Sequence, residues 1–345
     1  MLTPDQRSFG VEIECIVPGH TPTQVAAAIA ADGIACRFEG YNHRVSNSWK
    51  IVTDASVHGA GHAMEVVSPP LHSNNGHEQV AKVCATLQRL GAVVNRSCGL
   101  HVHVGANEIS TASMRKLAAM YMENENVLDS WLPTSRRASN NTYCASVATN
   151  TNVQRLQVAT NATQIAQAIN NGSRFVKLNF ASFWKYGTIE FRHHSGTVDA
   201  RKIKMWVMAC QRMVCTADAE QATPITLATT QRPQGYGKSA RRLRTIYDLL
   251  ARPEGCTRQD VATALGRSTM PPLNRILANA GFTYRENTRR RVARYTLEAT
   301  PTTQANTATN ESFMARLQMT EEETTFWVER VALLRSAQTR NQVAA

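Results

Sequence analysis

The sequence lacks the features that would place it among membrane, secreted or disulfide-linked proteins. No apolar run in its 345 residues reaches the roughly 18 residues that a membrane-spanning helix needs. Residues 1–7 contain no apolar stretch of the kind found in signal peptides. The eight cysteines are scattered, and no two are spaced as CxxC. We therefore expect a cytoplasmic protein with reduced thiols and no membrane contact.

Common nucleotide-binding and hydrolase signatures are missing as well. The sequence has no GxxxxGK[ST] loop, which argues against a P-loop ATPase. It has no GxSxG, which argues against a serine hydrolase of that type. Because no thiolates occur at ligand spacing, a structural zinc site is disfavoured. Any catalytic function must therefore use other residues.

The composition is that of a folded protein with one strongly basic segment. Hydrophobic residues make up 43% of the chain and charged residues 19%, which is enough for a buried core. At roughly 100–200 residues per domain, the length predicts about two domains. The net charge is +12, and residues 236–300 hold 13 Lys or Arg against five Asp or Glu. This local excess indicates a polyanionic partner for that segment.

Residues 1–222 mix short strands with amphipathic helices, which is typical of an α/β or α+β domain. Strands are predicted at Phe9–Val17, Trp49–Thr53, Ala63–Ser68, Leu100–Gly105, Arg174–Phe180 and Thr188–His193. Helices are predicted at Thr23–Ala31, Glu78–Leu90, Thr111–Leu132 and Ala200–Ala217. The last two strands are predicted to form a hairpin around residues 185–187.

The rest of the chain divides into a linker at 223–235, a small domain at 236–300, a linker at 301–312 and a terminal segment at 313–345. The small domain has predicted helices at Ala240–Leu250, Arg258–Leu265 with Thr257 as N-cap, and Pro271–Ala280, and strands at Phe282–Arg285 and Val292–Leu297. Three helices and a basic hairpin resemble a winged helix-turn-helix, so we expect a nucleic-acid or protein partner. A single helix is predicted at Phe313–Ala337.

Pairs of polar residues occur at strand spacing in the first domain. Residues i and i+2 of a strand lie on one face, so Glu12 and Glu14 share a face, as do His101 and His103. Each pair alone could be a solvated strand face or a set of structural histidines. Two adjacent carboxylates repel each other unless a cation lies beside them.

Two further segments add charged or polar residues. Glu190, Arg192 and His194 are predicted to share one strand face, with His193 opposite. Asp54 follows one strand and Glu65 lies within the next. If these segments share a sheet, burying so many carboxylates would be prohibitive without cations. Carboxylate oxygens with an imidazole suit Mg²⁺ or Mn²⁺ that bridges the phosphates of a nucleotide.

These motifs, taken in order, resemble the amidoligases of the carboxylate–amine ligase superfamily, which includes glutamine synthetase and γ-glutamylcysteine ligase. The matching blocks lie between about residues 7 and 215: Phe9–Glu14, Asp54–Ser56, Glu65–Pro70, Ser97–His103, Ser135–Arg137, Gly187–Arg192 and His194–Thr197. The resemblance implies a glutamine-synthetase-like α+β domain with a mainly antiparallel sheet and flanking helices. It also implies a ligase that activates a carboxylate with ATP as an acyl phosphate, which an amine then attacks.

The resemblance also implies roles for individual residues. The implied metal ligands for Mg²⁺ (or Mn²⁺) are Glu12, Glu14, Glu65, His101 and Glu190. His103 would face the transferring phosphoryl group and Arg192 would stabilise its oxygens. Asp54 would be a ligand or would orient the amine. Arg136 or Arg137 would meet the nucleotide or the substrate carboxylate, and Asn179, on the strand face of Lys177, would line the site.

Two other functions remain open from the sequence. The first is a nucleic-acid-binding regulator, in which the basic segment binds DNA or RNA and the ligase-like half senses a ligand. The second is a metal hydrolase that uses His101, His103 and Glu190, although it leaves the Glu12 and Glu14 pair unexplained. The carboxylate substrate is expected to be an amino acid, a peptide or a protein.

Overall fold

A seven-stranded sheet packed against helices forms the centre of the structure, a computed structural model that describes residues 2–42, 44–220, 245–246, 248–250, 256–266, 284–287, 294–297 and 309–343. The class is α+β, as predicted. The strands are β1 (Phe9–Val17), β2 (Cys36–Phe38), β3 (Trp49–Val52), β4 (His62–Val67), β5 (Gly99–Gly105), β6 (Leu178–Asn179) and β7 (Thr188–Ser195).

The sheet has the strand order β2-β3-β4-β1-β5-β7-β6. All neighbours are antiparallel except β2 and β3, which run parallel. The order brings β1, β4, β5 and β7 side by side, and these are the strands that carry the predicted polar pairs. The sheet is thus mixed but mainly antiparallel.

Three long helices cover the sheet, and short helices fill the connections. The helices of this part of the chain are α1 (Pro22–Ala31), α2 (Ser73–Arg89), α3 (Thr111–Ser130), α4 (Val147–Asn150), α5 (Val153–Val158), α6 (Ala162–Ala168), α7 (Ser182–Tyr186) and α8 (Ala200–Ala219). Thr21 forms a capping box with Gln24 at the start of α1, and Asp199 accepts backbone hydrogen bonds at the start of α8. None of the described helices is both long and apolar enough to span a membrane.

Alternation along the strands separates an apolar face from a polar one. Val11 and Ile13 of β1 and Val102 of β5 are buried in the core, together with Leu117 of α3 and Trp206 of α8. The residues between them point the other way, because successive side chains of a strand face opposite sides of the sheet. The helices therefore bury one face and leave the other for the polar pairs.

The predicted hairpin at residues 174–193 is replaced by a different connection. Only Leu178–Asn179 pairs with β7, and the short helix α7 lies between the two strands. Gly187 ends α7 with a positive φ of 64°, a conformation that glycine adopts without strain. The prediction of an extended strand over Arg174–Phe180 was therefore wrong for most of its length.

Helix α2 begins at Ser73, five residues before the predicted start at Glu78. The segment Asn74–Gly76 has the composition of a loop, but Gly76 packs tightly in the helix. A Cβ there would come within 3.0 Å of Leu71 and Phe9. Tertiary packing against β1 thus overrides the local turn preference.

The predicted single terminal helix consists of two helices, α10 (Asn310–Arg316) and α11 (Glu321–Val343). A break at residues 317–320 separates them, and Gln318 there has a positive φ of 52°. The predicted linker at 301–312 therefore ends before Asn310. Both helices contribute to the same core as the sheet, through Phe313, Met314, Leu317, Phe326, Trp327 and Val331.

Only parts of the basic segment 236–300 fall within the described residues. Helix α9 (Arg258–Ala264) begins at the predicted N-cap Thr257, with a capping box to Asp260. Strands β8 (Tyr284–Asn287) and β9 (Arg294–Leu297) pair antiparallel, so the predicted pairing of the two strands is confirmed. The predicted helix Pro271–Ala280 lies outside the described residues, and the winged-helix domain and its nucleic-acid or protein partner stay predictions.

Candidate active site

Strand register brings the polar pairs of four strands next to one another. Glu12 of β1 lies opposite His101 of β5, and Glu14 lies opposite Glu65 of β4. On the other side of β5, His103 lies opposite Glu190 of β7. A single continuous patch on the polar face of the sheet therefore holds four carboxylates and two imidazoles.

His101 lies at the centre of this patch. Its Nδ1 is 3.0 Å from Glu12 Oε2 and 3.9 Å from both Glu65 Oε1 and Glu190 Oε1. Its Nε2 is 3.5 Å from Glu14 Oε1. The imidazole is buried and therefore contacts carboxylates from three strands with both of its nitrogens.

His103 occupies the neighbouring position on β5. Its Nε2 lies 3.4 Å from Glu12 Oε1 and 4.0 Å from Glu190 Oε1. Its Nδ1 lies 2.9 Å from Thr188 Oγ1, and the Tyr186 ring meets its edge at 5.8 Å between centroids. Burial would lower the pKa of His103, but Glu12 and Glu190 raise it above its ordinary value. The ring is therefore protonated more readily than a free histidine.

Glu190 is held from two sides. One carboxylate oxygen accepts from Arg192 Nη1, and the other accepts from Asn179 Nδ2 at 2.7 Å. Burial opposes ionisation, yet Arg192 and His103 keep the pKa of Glu190 below its ordinary value. The Nε atom of Arg192 is buried and has no hydrogen-bond partner among the described residues. Arg192 therefore retains a donor for a further acceptor.

The carboxylates of β1 and β4 ionise unequally. Burial would raise the pKa of Glu12, but hydrogen bonds with His101 and His103 hold it well below its ordinary value. Burial and repulsion from Glu12 and Glu14 raise the pKa of Glu65 well above the usual range. Glu65 therefore holds a proton at pH values where an exposed glutamate has lost it.

These residues fit a divalent cation site. The patch contains two groups of three ligand residues, and the ligand atoms within each group lie within 4.8 Å of one another. One group is Glu12, His101 and Glu190, and the other is Glu14, Glu65 and His101. Buried like charges of this density repel one another unless cations or protons lie between them, and burial and this repulsion raise the pKa of Glu65. Oxygen ligands with an imidazole suit Mg²⁺ or Mn²⁺.

The first residue of β5 and an arginine that follows α3 also reach the patch. The backbone N–H of Gly99 donates to Glu14 Oε2 at 2.5 Å. A Cβ at this position would lie 3.0 Å from His101 Nε2 and 3.5 Å from Arg136 Nη1. Arg136 is buried and donates to the carbonyl of Cys98. Gly99 therefore leaves room for three functional side chains.

Other predicted residues lie apart from the two ligand groups. Asp54 follows β3 half-buried, and its Oδ1 accepts from Ser56 N at 2.6 Å. It is near enough to help raise the pKa of Glu65. Arg137 donates to the carbonyl of Leu132 at 2.9 Å, which separates it from its buried neighbour Arg136.

Two predicted strand faces were wrong. Lys177 does not accompany Asn179 into the patch, because its ammonium pairs with Glu125 and Asp129 of α3. His194 does not share a face with Arg192. Leu100 pairs with His194 while Val102 pairs with Phe191, so β7 contains one extra residue, a β-bulge. The bulge turns His194 towards Trp206 on the helical side of the sheet.

The sequence comparison agrees with this geometry. Residues 5–214 match the family model described as "putative amidoligase enzyme". The chain belongs to the amidoligase family. The match spans β1 to β7 and most of α8. It therefore includes the four carboxylates and two imidazoles of the polar patch, called the amidoligase patch below. No curated protein matches the sequence. Membership of the family indicates a ligase.

The sequence did not single out two residues that contact the site, Thr188 and Gly99. Thr188 could have been found, since it lies two residues before Glu190 on the same strand face. Gly99 lies within the matching block Ser97–His103, but its role depends on the approach of side chains from other elements, which the sequence does not show.

Replacing Gly99 with alanine should weaken divalent-ion binding by about 10–100-fold. The added methyl group would press on His101 Nε2 and Glu14 Oε2, the two atoms that Gly99 leaves free to approach. Isothermal titration with Mn²⁺ measures the effect. Gly10→Ala is the matched control, since a Cβ there meets Ser68 and His103 only at ordinary contact distances of 3.6 and 3.8 Å. Equal Mn²⁺ affinity in the two variants would contradict the prediction.

Proposed function

We propose that the protein is an ATP-dependent carboxylate–amine ligase that forms an amide or peptide-type bond through an acyl phosphate, with Mg²⁺ (or Mn²⁺) as its companion ion. The observation that carries the proposal is the pair of ligand groups that share His101 within an amidoligase domain. Phosphoryl transfer depends on positioning and charge neutralisation more than on a covalent catalyst. A patch of carboxylates with an arginine beside it suits that requirement.

The proposed ligands for the ions are the carboxylates of Glu12, Glu14, Glu65 and Glu190 with the imidazole of His101. Divalent ions bound there would neutralise the negative charge of the nucleotide phosphates. A cation bound beside Glu65 would replace the proton that its raised pKa favours. Asn179 acts on this set indirectly, because its amide fixes one oxygen of Glu190.

Arg192 and His103 would act on the phosphoryl group. The free Nε of Arg192 supplies a donor beside Glu190, and the guanidinium adds a fixed positive charge. His103 carries a raised pKa and presents Nε2 towards Glu12 and Glu190, so its protonated ring adds a second donor. Arg136, buried beside Gly99, would meet the nucleotide.

The proposed reaction has two chemical steps. An oxygen of the substrate carboxylate attacks the γ-phosphorus of ATP, and ADP leaves. The amine nitrogen then attacks the acyl carbon, inorganic phosphate leaves, and the nitrogen loses a proton. Asp54, near Glu65 at the edge of the patch, would orient the amine and accept that proton.

Nucleotide binding and ADP release test the proposal directly. ATP should bind only when Mg²⁺ or Mn²⁺ is present, and EDTA should abolish the binding. ADP should appear only when a pool of amino acids or peptides is added, because the acyl phosphate needs a carboxylate acceptor. Calorimetry measures the first result and a coupled assay measures the second. If no divalent ion supports nucleotide binding, the patch is not a phosphate site and the proposal fails.

A further inference from the structure

A group of charged and polar side chains is buried on the helical side of the sheet, away from the amidoligase patch. None of them belongs to the proposed ligand set, and no step of the proposed reaction uses them. We call them the α3 network: Tyr121, Glu125 and Asp129 of α3, Lys177 directly before β6, and His193 of β7. Asp129 is largely buried, and less than 5% of each of the others is exposed.

Asp129 connects the members of the α3 network. Its Oδ1 accepts from Lys177 Nζ at 2.5 Å and lies 2.8 Å from His193 Nε2. Lys177 also donates to Glu125 Oε1 at 2.6 Å, and Tyr121 Oη lies 2.7 Å from His193 Nδ1. Burial and the Lys177 ammonium lower the pKa of His193 to about 4, so the ring is neutral at pH 7. Because a carboxylate can only accept, the single ring proton lies on Nε2 and Nδ1 accepts from Tyr121.

Both carboxylates of the network are fixed by backbone donors as well. Asp129 Oδ2 accepts from Ala138 N at 2.7 Å, and Glu125 Oε2 accepts from Ala148 N at 2.7 Å. Buried ion pairs commonly add little net stability, because the cost of removing the charges from water offsets their attraction. A network whose members are all hydrogen-bonded does, however, hold the attached groups in one position.

Arg192 lies in the β-bulge of β7, next to this network. The bulge places Arg192 and His193 together opposite a single residue of β5, His101, so the regular ladder is interrupted there. Other elements hold the backbone of Arg192 instead. Its N–H donates to the Lys177 carbonyl at 2.8 Å, and its carbonyl accepts from Cys144 Sγ at 3.3 Å. The direction of the Arg192 side chain therefore depends on Lys177 and on His193.

We propose that the α3 network is a positioning device for Arg192, which keeps the guanidinium aimed at the transferring phosphoryl group. Lys177 acts through its carbonyl, and His193 acts through the peptide bond that it shares with Arg192. Tyr121 and Asp129 fix the His193 ring at its two nitrogens. All are positioning residues, because they act on the phosphoryl group only through the backbone of Arg192. The inference rests on the proposed ligase function.

Binding of a phosphoryl mimic tests this assignment without turnover. Calorimetry with Mg²⁺ compares ADP alone with ADP and aluminium fluoride, which mimics the transferring phosphoryl group. The double variant Tyr121→Phe/His193→Leu replaces both partners of one buried hydrogen bond with apolar side chains, a change that usually costs little stability. It should lower the preference for the fluoride complex about 10–100-fold, since a displacement of about 1 Å at a reacting group has an effect of that size. The kcat for ADP release should fall in parallel, and Tyr121→Phe alone, the milder change, should lower both about fivefold.

Arg192→Met and Ser113→Ala show whether the effect passes through Arg192. Arg192→Met should itself abolish the preference for the fluoride complex. Adding the double variant to Arg192→Met should then change nothing further, because residues that act through one group are not additive. Ser113→Ala is the matched control, since Ser113 lies on the same helix, is buried, and donates from Oγ to Asp218 Oδ1 at 2.8 Å. It should lower the urea midpoint and retain the preference.

The outcomes distinguish this inference from the proposed function. If wild type prefers the fluoride complex and the double variant keeps that preference, the α3 network is only structural; the inference is overturned and the ligase proposal stands. A further loss in the Arg192→Met background, or an equal loss in Ser113→Ala, also overturns it. If wild type binds ADP with Mg²⁺ but shows no preference for the fluoride complex, Arg192 is not the phosphoryl partner and the inference fails. If wild type binds no nucleotide, the ligase proposal itself fails.

Discussion

Glutamine in place of Glu190 should lower ADP release by roughly a thousandfold, a loss of about 4 kcal/mol of transition-state stabilisation. The substitution keeps the size of the side chain and removes a charge that belongs to one group of ligand atoms. It also forces an amide N–H₂ against either the amide of Asn179 or the guanidinium of Arg192, since both are donors. Steady-state ADP release with saturating Mg²⁺ and ATP measures the loss.

Glu323→Gln is the matched control for that experiment. Glu323 is also a buried carboxylate paired with an arginine, at 2.8 Å from Arg212 Nε, but it lies on α11 outside the amidoligase patch. It should lower stability and leave turnover per folded molecule unchanged. A Glu190→Gln variant that folds and releases ADP at the wild-type rate would remove this carboxylate from the proposed mechanism.

The facing of side chains within one strand could be predicted from sequence, but the pairing of strands could not. The spacing of two puts Glu12 with Glu14 and His101 with His103, and the structure shows the same faces. That Glu14 meets Glu65 and Glu12 meets His101 follows from the order β4-β1-β5. Strand order depends on long-range packing, for which the local pattern holds no information.

Irregular backbone accounts for the errors near the site. The bulge in β7 shifts the alternation by one residue, so that His193 and His194 both contact Trp206. A bulge needs no special residue in the sequence, and the strict period of two therefore placed His194 on the wrong face.

The terminal helices illustrate a third limit of the sequence. The apolar residues of 313–337 predict a helix, but they do not show which surface it covers. In the structure Trp327 of α11 is buried and stacks on Trp131 at the end of α3, with ring centroids 4.6 Å apart and an interplanar angle of 18°. It also meets Trp206 of α8 edge-on at 6.0 Å. The terminal helix is therefore part of the core beneath the amidoligase sheet.

Trp327→Ala should lower the free energy of unfolding by about 3–5 kcal/mol, the usual cost of truncating a buried aromatic residue. The whole loss comes from packing, because Trp327 Nε1 has no hydrogen-bond partner among the described residues. A typical domain is stable by only about 5–15 kcal/mol, so this single change would remove a large part of the total. Urea denaturation followed by circular dichroism measures the shift of the midpoint.

Val328→Ala is the control. Val328 follows Trp327 directly but is 47% exposed, so its truncation should change the free energy of unfolding by less than about 0.5 kcal/mol. Trp206 also contacts His193 and His194, the residues of β7 that follow Glu190 and Arg192. Loosening the three tryptophans should therefore reduce Mn²⁺ affinity as well as stability, although residue 327 lies on the far side of the sheet from the patch. Coincident unfolding midpoints for the two variants would mean that α11 is an appendage and that the site does not depend on it.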